Sequence, residues 1–143
     1  MGYKKIKRLS VAERAYVAGI VDGEGSITLT VKQKGGTRHL AVLVSSTDLA
    51  LLEYLKNIIG AGKITTKRTY KPHHRPAYAY AIYNRQALGL IRQTVFYLRT
   101  YKSRRAKFVL AQYILVTPRN GKYSDRLSEI RAEFVEKFFS ILP

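Results

Sequence analysis

No cysteine occurs among the 143 residues, so disulfides and thiolate-held metals are excluded. No stretch approaches the ~18 successive apolar residues that a membrane-crossing helix needs. Residues 1–8 are basic, but no hydrophobic segment and cleavage site follow in signal-peptide order. A soluble intracellular protein is therefore expected, in the cytoplasm, nucleoid or an organelle, with no membrane partner. Acidic side chains are scarce, 9 against 26 lysines and arginines, which leaves a net charge of +17. A dimer would double that charge, and self-repulsion on this scale is tolerable mainly when the usual partner is a polyanion. Histidine is scarce too. His39, His73 and His74 form no metal-ligand pattern. On charge alone, a generic RNA- or DNA-associated protein of ribosomal type would fit.

What the chain does have is enough apolar material for a core, 46% of its residues, and a length suited to one domain spanning 1–143. Its most informative stretch is Tyr16-Val17-Ala18-Gly19-Ile20-Val21-Asp22-Gly23-Glu24-Gly25-Ser26. Small and apolar residues end here in two carboxylates set between glycines. Gly19 and Gly23 stand four apart, with Ala15 and Ala18 nearby, so one helix face has almost no side chain. Such a face lets two helix backbones approach closely. Only one copy is present, so the simplest partner is the same helix of a second subunit.

The periodicity supports an ordered α+β domain. Ser10-Val11-Ala12-Glu13 reads as a capping box that opens a helix over 11–23. Beyond it the period falls to two: Ser26, Thr28, Thr30, Lys32 and Lys34 alternate with Ile27, Leu29 and Val31, a half-buried strand. Gly35-Gly36 marks a hairpin turn, and a second strand returns over 38–45. Thr47 or Asp48 can cap a second helix, stopped at Gly60-Ala61-Gly62. Strands over 63–69 and 77–83 follow, then a helix over 85–96 capped by Asn84. Another helix ends near 116 and a last one runs over 124–140. The order is α-β-β-α-β-β-α, with two further helices.

Residues 17–25 resemble the LAGLIDADG motif of homing endonucleases: Val17 stands for the first Leu, Ile20 and Val21 for the central Leu-Ile, and Glu24 for the second Asp. The single motif, the element order and the length are similar to the homodimeric branch. The resemblance implies an αββαββα fold, with an antiparallel four-stranded saddle-shaped sheet on DNA, helices behind it and extra C-terminal helices. It also implies an intron- or intein-borne, Mg²⁺-dependent nuclease that cuts both strands of a long pseudo-palindromic site and leaves short 3′ overhangs. Mn²⁺ or Ca²⁺ can substitute in binding. An RNA maturase or a non-cleaving DNA-binding regulator on the same scaffold is the alternative.

Phosphodiester hydrolysis needs a metal to activate water and stabilise the leaving oxygen, and Mg²⁺ takes one or two carboxylates plus phosphate and water. Two copies of Glu24 beside a dimer axis would each serve one strand. By resemblance, Glu24 matches the metal-binding acid, with the Gly23 carbonyl as a further ligand. Asp22 is expected to make interhelix or capping hydrogen bonds at the dimer interface with Ala15, Ala18 and Gly19. Lys102 resembles the active-site lysine, with a plain phosphate contact as the other reading because its neighbours are also basic, and Arg104 and Arg105 are expected to meet DNA. Ser46 falls where relatives carry a polar side chain that orders water, although Ser is shorter than the common Gln. No general base stands out, which fits metal and ordered solvent.

Strand alternation supplies the expected DNA-reading face: Ser26, Thr28, Thr30, Lys32 and Lys34, then Thr37 and His39, then Thr65, Lys67 and Thr69, then Tyr78 and Tyr80. A strand of about 9–10 residues spans roughly 30 Å, about nine base pairs of duplex. Two subunits would cover on the order of 20 base pairs. Lys32 and Lys67 suit guanine edges, while Thr and Tyr read more permissively.

Overall fold

A computed structural model describes residues 4–67 and 75–143. Helix α1 (Val11–Glu24) begins with the expected reciprocal cap: Glu13 N–H donates to Ser10 Oγ at 3.1 Å, and Ser10 N–H donates to Glu13 Oε1 at 2.8 Å. The helix does not stop at Gly23 but continues to Glu24 and gives way directly to β1 (Gly25–Thr30). Gly25 makes that junction possible. A Cβ there would lie 2.8 Å from Val21 Cα and 3.0 Å from the Leu43 carbonyl oxygen.

The remaining elements are β2 (His39–Ser46), α2 (Leu49–Ile59), β3 (Lys63–Lys67), β4 (Ala77–Tyr83), α3 (Asn84–Thr94), α4 (Lys102–Gln112) and α5 (Asp125–Phe139). Short 3-10 turns at Val95–Tyr97 and Ile114–Val116 follow α3 and α4. The expected element order holds, with shifts at the ends. β1 stops at Thr30, so Lys32 and Lys34 sit in the exposed β1–β2 connection rather than on strand rungs. Within that connection Gly36 N–H donates to Gln33 O across a turn, and Gly35 takes the φ of +79° that the turn requires. Asp48, not Thr47, caps α2, and Gly60 ends it in the left-handed region.

Asn84 does not cap α3. It adopts φ +53°, and its Oδ1 accepts the buried Tyr113 hydroxyl at 2.7 Å. Tyr113 in turn accepts Leu40 N–H at 3.1 Å, which ties the chain after α4 to β2 and to the start of α3.

The four strands form one antiparallel sheet in the order β1-β2-β4-β3. Residues paired across an antiparallel ladder share a face, so the register sorts the side chains. One face carries Ile27, Leu29, Leu40, Val42, Val44, Ile64, Tyr80 and Ile82. These pack with Val17 and Val21 of α1, Leu52, Leu55 and Ile59 of α2, Leu90 and Ile91 of α3, Val109 of α4 and Phe138 of α5. Burying each such side chain contributes roughly 1.5–3 kcal/mol. The second face carries Ser26, Thr28 and Thr30 of β1, Leu43 and Ser45 of β2, and Lys63, Thr65 and Lys67 of β3, exposed or half-buried.

Candidate functional site

The open sheet face and the end of α1 meet at the α1–β1 junction. Glu24, the last residue of α1, is exposed, and its neighbour in sequence is the first residue of β1. A carboxylate here sits at the negative end of the helix dipole, which disfavours it by roughly 0.3–1 kcal/mol unless a cation stands by. A cation is held at the same helix end, on its carbonyls rather than on Glu24 itself. Lys102, the first residue of α4, is only 9% exposed, and its Nζ donates to Val21 O at 2.9 Å and to Asp22 O at 2.8 Å. It thereby satisfies two of the last carbonyls of α1, which have few donors within the helix. Burial pushes the Lys102 amine below its usual range. Asp22 pulls it back up, Arg105 pushes it further down, and Glu24 pulls it up.

Asp22 holds the same corner from the other side. Its Oδ2 accepts Arg99 N–H at 2.7 Å, and its Oδ1 accepts Thr100 N–H at 3.2 Å and the Thr100 hydroxyl at 2.6 Å. Burial raises the Asp22 carboxyl, but the Thr100 hydroxyl, the Arg99 and Thr100 amides and Lys102 outweigh it and hold it below the ordinary carboxylate value. Asp22 is therefore a cap within its own chain. The sequence pointed to hydrogen bonding at Asp22 but not to its partner, because Thr100 is 78 positions away.

Gly19 and Ala15 lie exposed on α1, and a Cβ at Gly19 or Gly23 would meet nothing within 4 Å. Ala18, like Asp22, is an exception among the expected interface residues. At 0% exposed it faces the core of its own chain, because one step along a helix turns a side chain by about 100°. The open stripe runs through Ala12, Ala15, Gly19 and Gly23, with Tyr16 beside it stacked edge-on against Tyr54 of α2, ring centroids 5.6 Å apart.

Several expected reading residues are placed otherwise. Tyr78 and Tyr80 lie on the helix-packed face, since Tyr80 pairs with Val44 and Ile64. Tyr80 is 1% exposed and its hydroxyl donates to Ala61 O at 2.7 Å. Its ring passes over Gly62, where a Cβ would lie 2.5 Å from the hydroxyl oxygen. Burial pushes this phenol up. On the open face β4 presents Ala77, Ala79, Ala81 and Tyr83 instead, and Lys63 Nζ stands 5.6 Å from the centre of the Tyr83 ring. Lys63 and Tyr83 were missed. Extending the Thr65–Lys67 alternation back by two residues would have found Lys63.

Ser26, Thr28, Thr30, His39, Thr65 and Lys67 stand on the open face as expected, Thr37 is exposed beyond its rim, and Thr69 lies outside the described residues. Ser46 pairs with Tyr78 on the helix-packed face, and its Oγ accepts Asp48 N–H at 2.9 Å. The β2 hydroxyl on the open face, one step beyond the Gly25–Val44 pair, is that of Ser45. Arg104 is exposed and donates to Leu142 O, whereas Arg105 is only 8% exposed. Arg105 donates to Ile27 O and Ile141 O and lies over the Phe138 ring, so it anchors the C-terminal segment to β1 with little surface left for phosphate.

Among the described residues no three His, Cys, Asp or Glu side chains are grouped to hold a metal ion. One exposed carboxylate at a helix end fits a hard cation that completes its shell with carbonyl, phosphate and water oxygens. No helix among the described residues is long and apolar enough to cross a membrane.

The fold is similar to that of the homing endonuclease I-CvuI, solved in complex with its target in the presence of Ca. The TM-score is 0.73 at 20% identity, over 92% of this chain and 82% of that one. An archaeal intron-encoded homing endonuclease complexed with DNA aligns at TM-score 0.62 and 13% identity, over 92% and 85% of the two chains. The LAGLIDADG homing endonuclease I-SmaMI, bound to cleaved DNA, aligns at 0.64 and 21%, over 94% of this chain and 46% of its own. Residues 17–126 match the LAGLIDADG endonuclease family. With the motif at the end of α1 and the four-stranded sheet beside it, this chain belongs to the LAGLIDADG endonuclease family.

Proposed function

We propose that the chain is a sequence-specific DNA endonuclease that acts as a homodimer and uses a divalent metal, Mg²⁺ in the cell, to make a double-strand break in a long pseudo-palindromic duplex site. The observation that carries this reading is the exposed Glu24 carboxylate at the end of α1, with a buried ammonium beside it, at the inner edge of an open polar sheet face. The net charge of +17 supports a duplex partner. The bare stripe on α1 supports a two-fold pairing of α1 with its copy, which would bring two Glu24 carboxylates near the axis. I-CvuI has been solved on DNA with Ca and with Mg, which supports a divalent cation here. Work on genomic DNA implies an intracellular location.

Glu24 and the Gly23 carbonyl would hold the metal, which when bound lowers the pKa of a water and stabilises charge on the scissile phosphate. Lys102 has three N–H donors and directs two at carbonyls. Its third is available to a phosphate oxygen. Ser26, Thr28, Thr30, Lys63, Thr65 and Lys67 face the major groove and read base edges. Lys32, Lys34, Thr37 and Arg104 serve phosphates around that face.

The test compares the natural chain with Glu24→Gln on a duplex library spanning the intron-insertion junction. The natural chain is expected to cut in Mg²⁺, and the variant to bind the same duplexes with similar affinity without cutting. Binding without cutting by both proteins would reject the nuclease in favour of a regulator or an RNA maturase.

A further inference from the structure

We propose that Thr100 is a positioning residue for the chemistry at the end of α1: its hydroxyl links the Asp22 carboxylate to the Lys102 amide and so fixes where the Lys102 ammonium stands beside Glu24. The proposal rests on the nuclease reading above and adds a residue to it.

The position of the Lys102 ammonium is not set by its own packing alone. A lysine side chain has four rotatable bonds, and its reach to Val21 O and Asp22 O depends on where the backbone of residue 102 lies relative to α1. That offset is set by the segment just before α4, where Asp22 receives Arg99 N–H, Thr100 N–H and the Thr100 hydroxyl. The Thr100 oxygen works in both directions, donating its proton to Asp22 at 2.6 Å and accepting Lys102 N–H at 3.3 Å. Tyr101, at the cap position of α4, offers no side-chain hydrogen bond, so Thr100 also supplies the acceptor that the first turn of the helix lacks. The clasp is therefore reciprocal: Asp22 holds the segment bearing Lys102, and Lys102 holds the carbonyls of the segment bearing Asp22. Thr100 is exposed. Exchange for an isosteric apolar residue removes the two hydroxyl bonds without opening a cavity.

The experiment uses the full-length protein as Thr100→Val and Thr100→Ser. The substrate is a duplex selected from a randomised library by binding to the natural chain in Ca²⁺, and cleavage is started with Mg²⁺ under single-turnover conditions. In parallel, the DNA-free proteins are acetylated and modification of Lys102 is followed by mass spectrometry. The valine variant is expected to cut about tenfold more slowly, roughly 1.4 kcal/mol of barrier, with its DNA affinity within about twofold, while Lys102 becomes several-fold easier to acetylate. Serine keeps the hydroxyl and is expected to restore both readings. A valine variant that cuts at the natural rate, or a serine variant as slow as valine, would overturn the proposal. So would an affinity loss in step with the rate, which would make Thr100 a phosphate contact. If the natural chain cuts none of the selected duplexes, the nuclease reading fails on its own. The acetylation result still decides the clasp, and unchanged Lys102 protection in the valine variant refutes it.

Discussion

Lys102 and Asp22 divide the work at one corner: the cation caps helix carbonyls and the anion caps loop amides, so neither is the other's direct ion-pair partner. Glu24 is left as the carboxylate free to meet a cation from solution. Glu24 and Lys102 were legible because their local sequence is distinctive, an acid between glycines and a lysine at the start of a helix. Thr100 and Arg105 were not, since their roles depend on segments about 80 residues away. Another residue-scale consequence concerns His39. Burial, the nearby Arg131 and Lys32 outweigh the help from Asn84 and hold its imidazole below the usual 6.5. Its Nδ1 is buried without a hydrogen-bond partner among the described residues. The unfolded chain then binds the proton first, so stability present above about pH 6.5 is lost as pH falls through the lower folded value. Thermal unfolding followed from neutral pH into this range is expected to show a falling midpoint, and His39→Gln to flatten that fall. Identical pH profiles for the two proteins would contradict the assignment.

At the scale of elements, α1 and α2 were readable because capping residues and periodicity agreed, and so was the start of β1, though not its end at Thr30. β4 was not. Its sequence, Ala77-Tyr78-Ala79-Tyr80-Ala81-Ile82-Tyr83, alternates without saying which set faces out, since tyrosine suits both a wet face and a core. A slip of one residue exchanges the faces. The register is settled by Ile82, which goes into the core, and from outside the strand by Gly62, whose φ of +98° and missing Cβ leave room for the Tyr80 ring. With alanines at 77, 79 and 81, β4 offers the open face no hydrogen-bonding side chain before Tyr83, so the proposed readout rests mainly on β1 and β3. Replacing Lys63 or Thr65 with alanine is expected to widen base tolerance at particular positions in a binding-site selection. Tyr80→Phe is expected to lose about 1 kcal/mol of stability and leave base preference unchanged. A shifted preference in Tyr80→Phe would contradict the register.

Over the whole molecule the sequence order of elements was legible, but the way α5 closes the fold was not. Arg131, 5% exposed, donates to Val116 O, Thr117 Oγ1 and Arg38 O, and Arg105 binds the C-terminal segment to β1. Arg105 was expected to meet DNA, and nothing in the local sequence singles out Arg131. The α1 stripe raises the question of assembly. Gly19 has no steric reason within its own chain to be glycine, so Gly19→Leu is expected to leave the fold intact and yield a monomer by sedimentation. A dimeric, active leucine variant would contradict pairing through α1.

The most direct measurement follows the natural chain and Glu24→Gln on a supercoiled plasmid carrying one selected site, in Mg²⁺. A dimer with one Glu24 on each strand converts the natural reaction to linear plasmid, while the Gln variant leaves the plasmid supercoiled and bound. Linear product from the Glu24→Gln protein, or no Mg²⁺-dependent cutting by the natural chain at a site it binds, would contradict Glu24 as the metal-holding acid of a double-strand endonuclease.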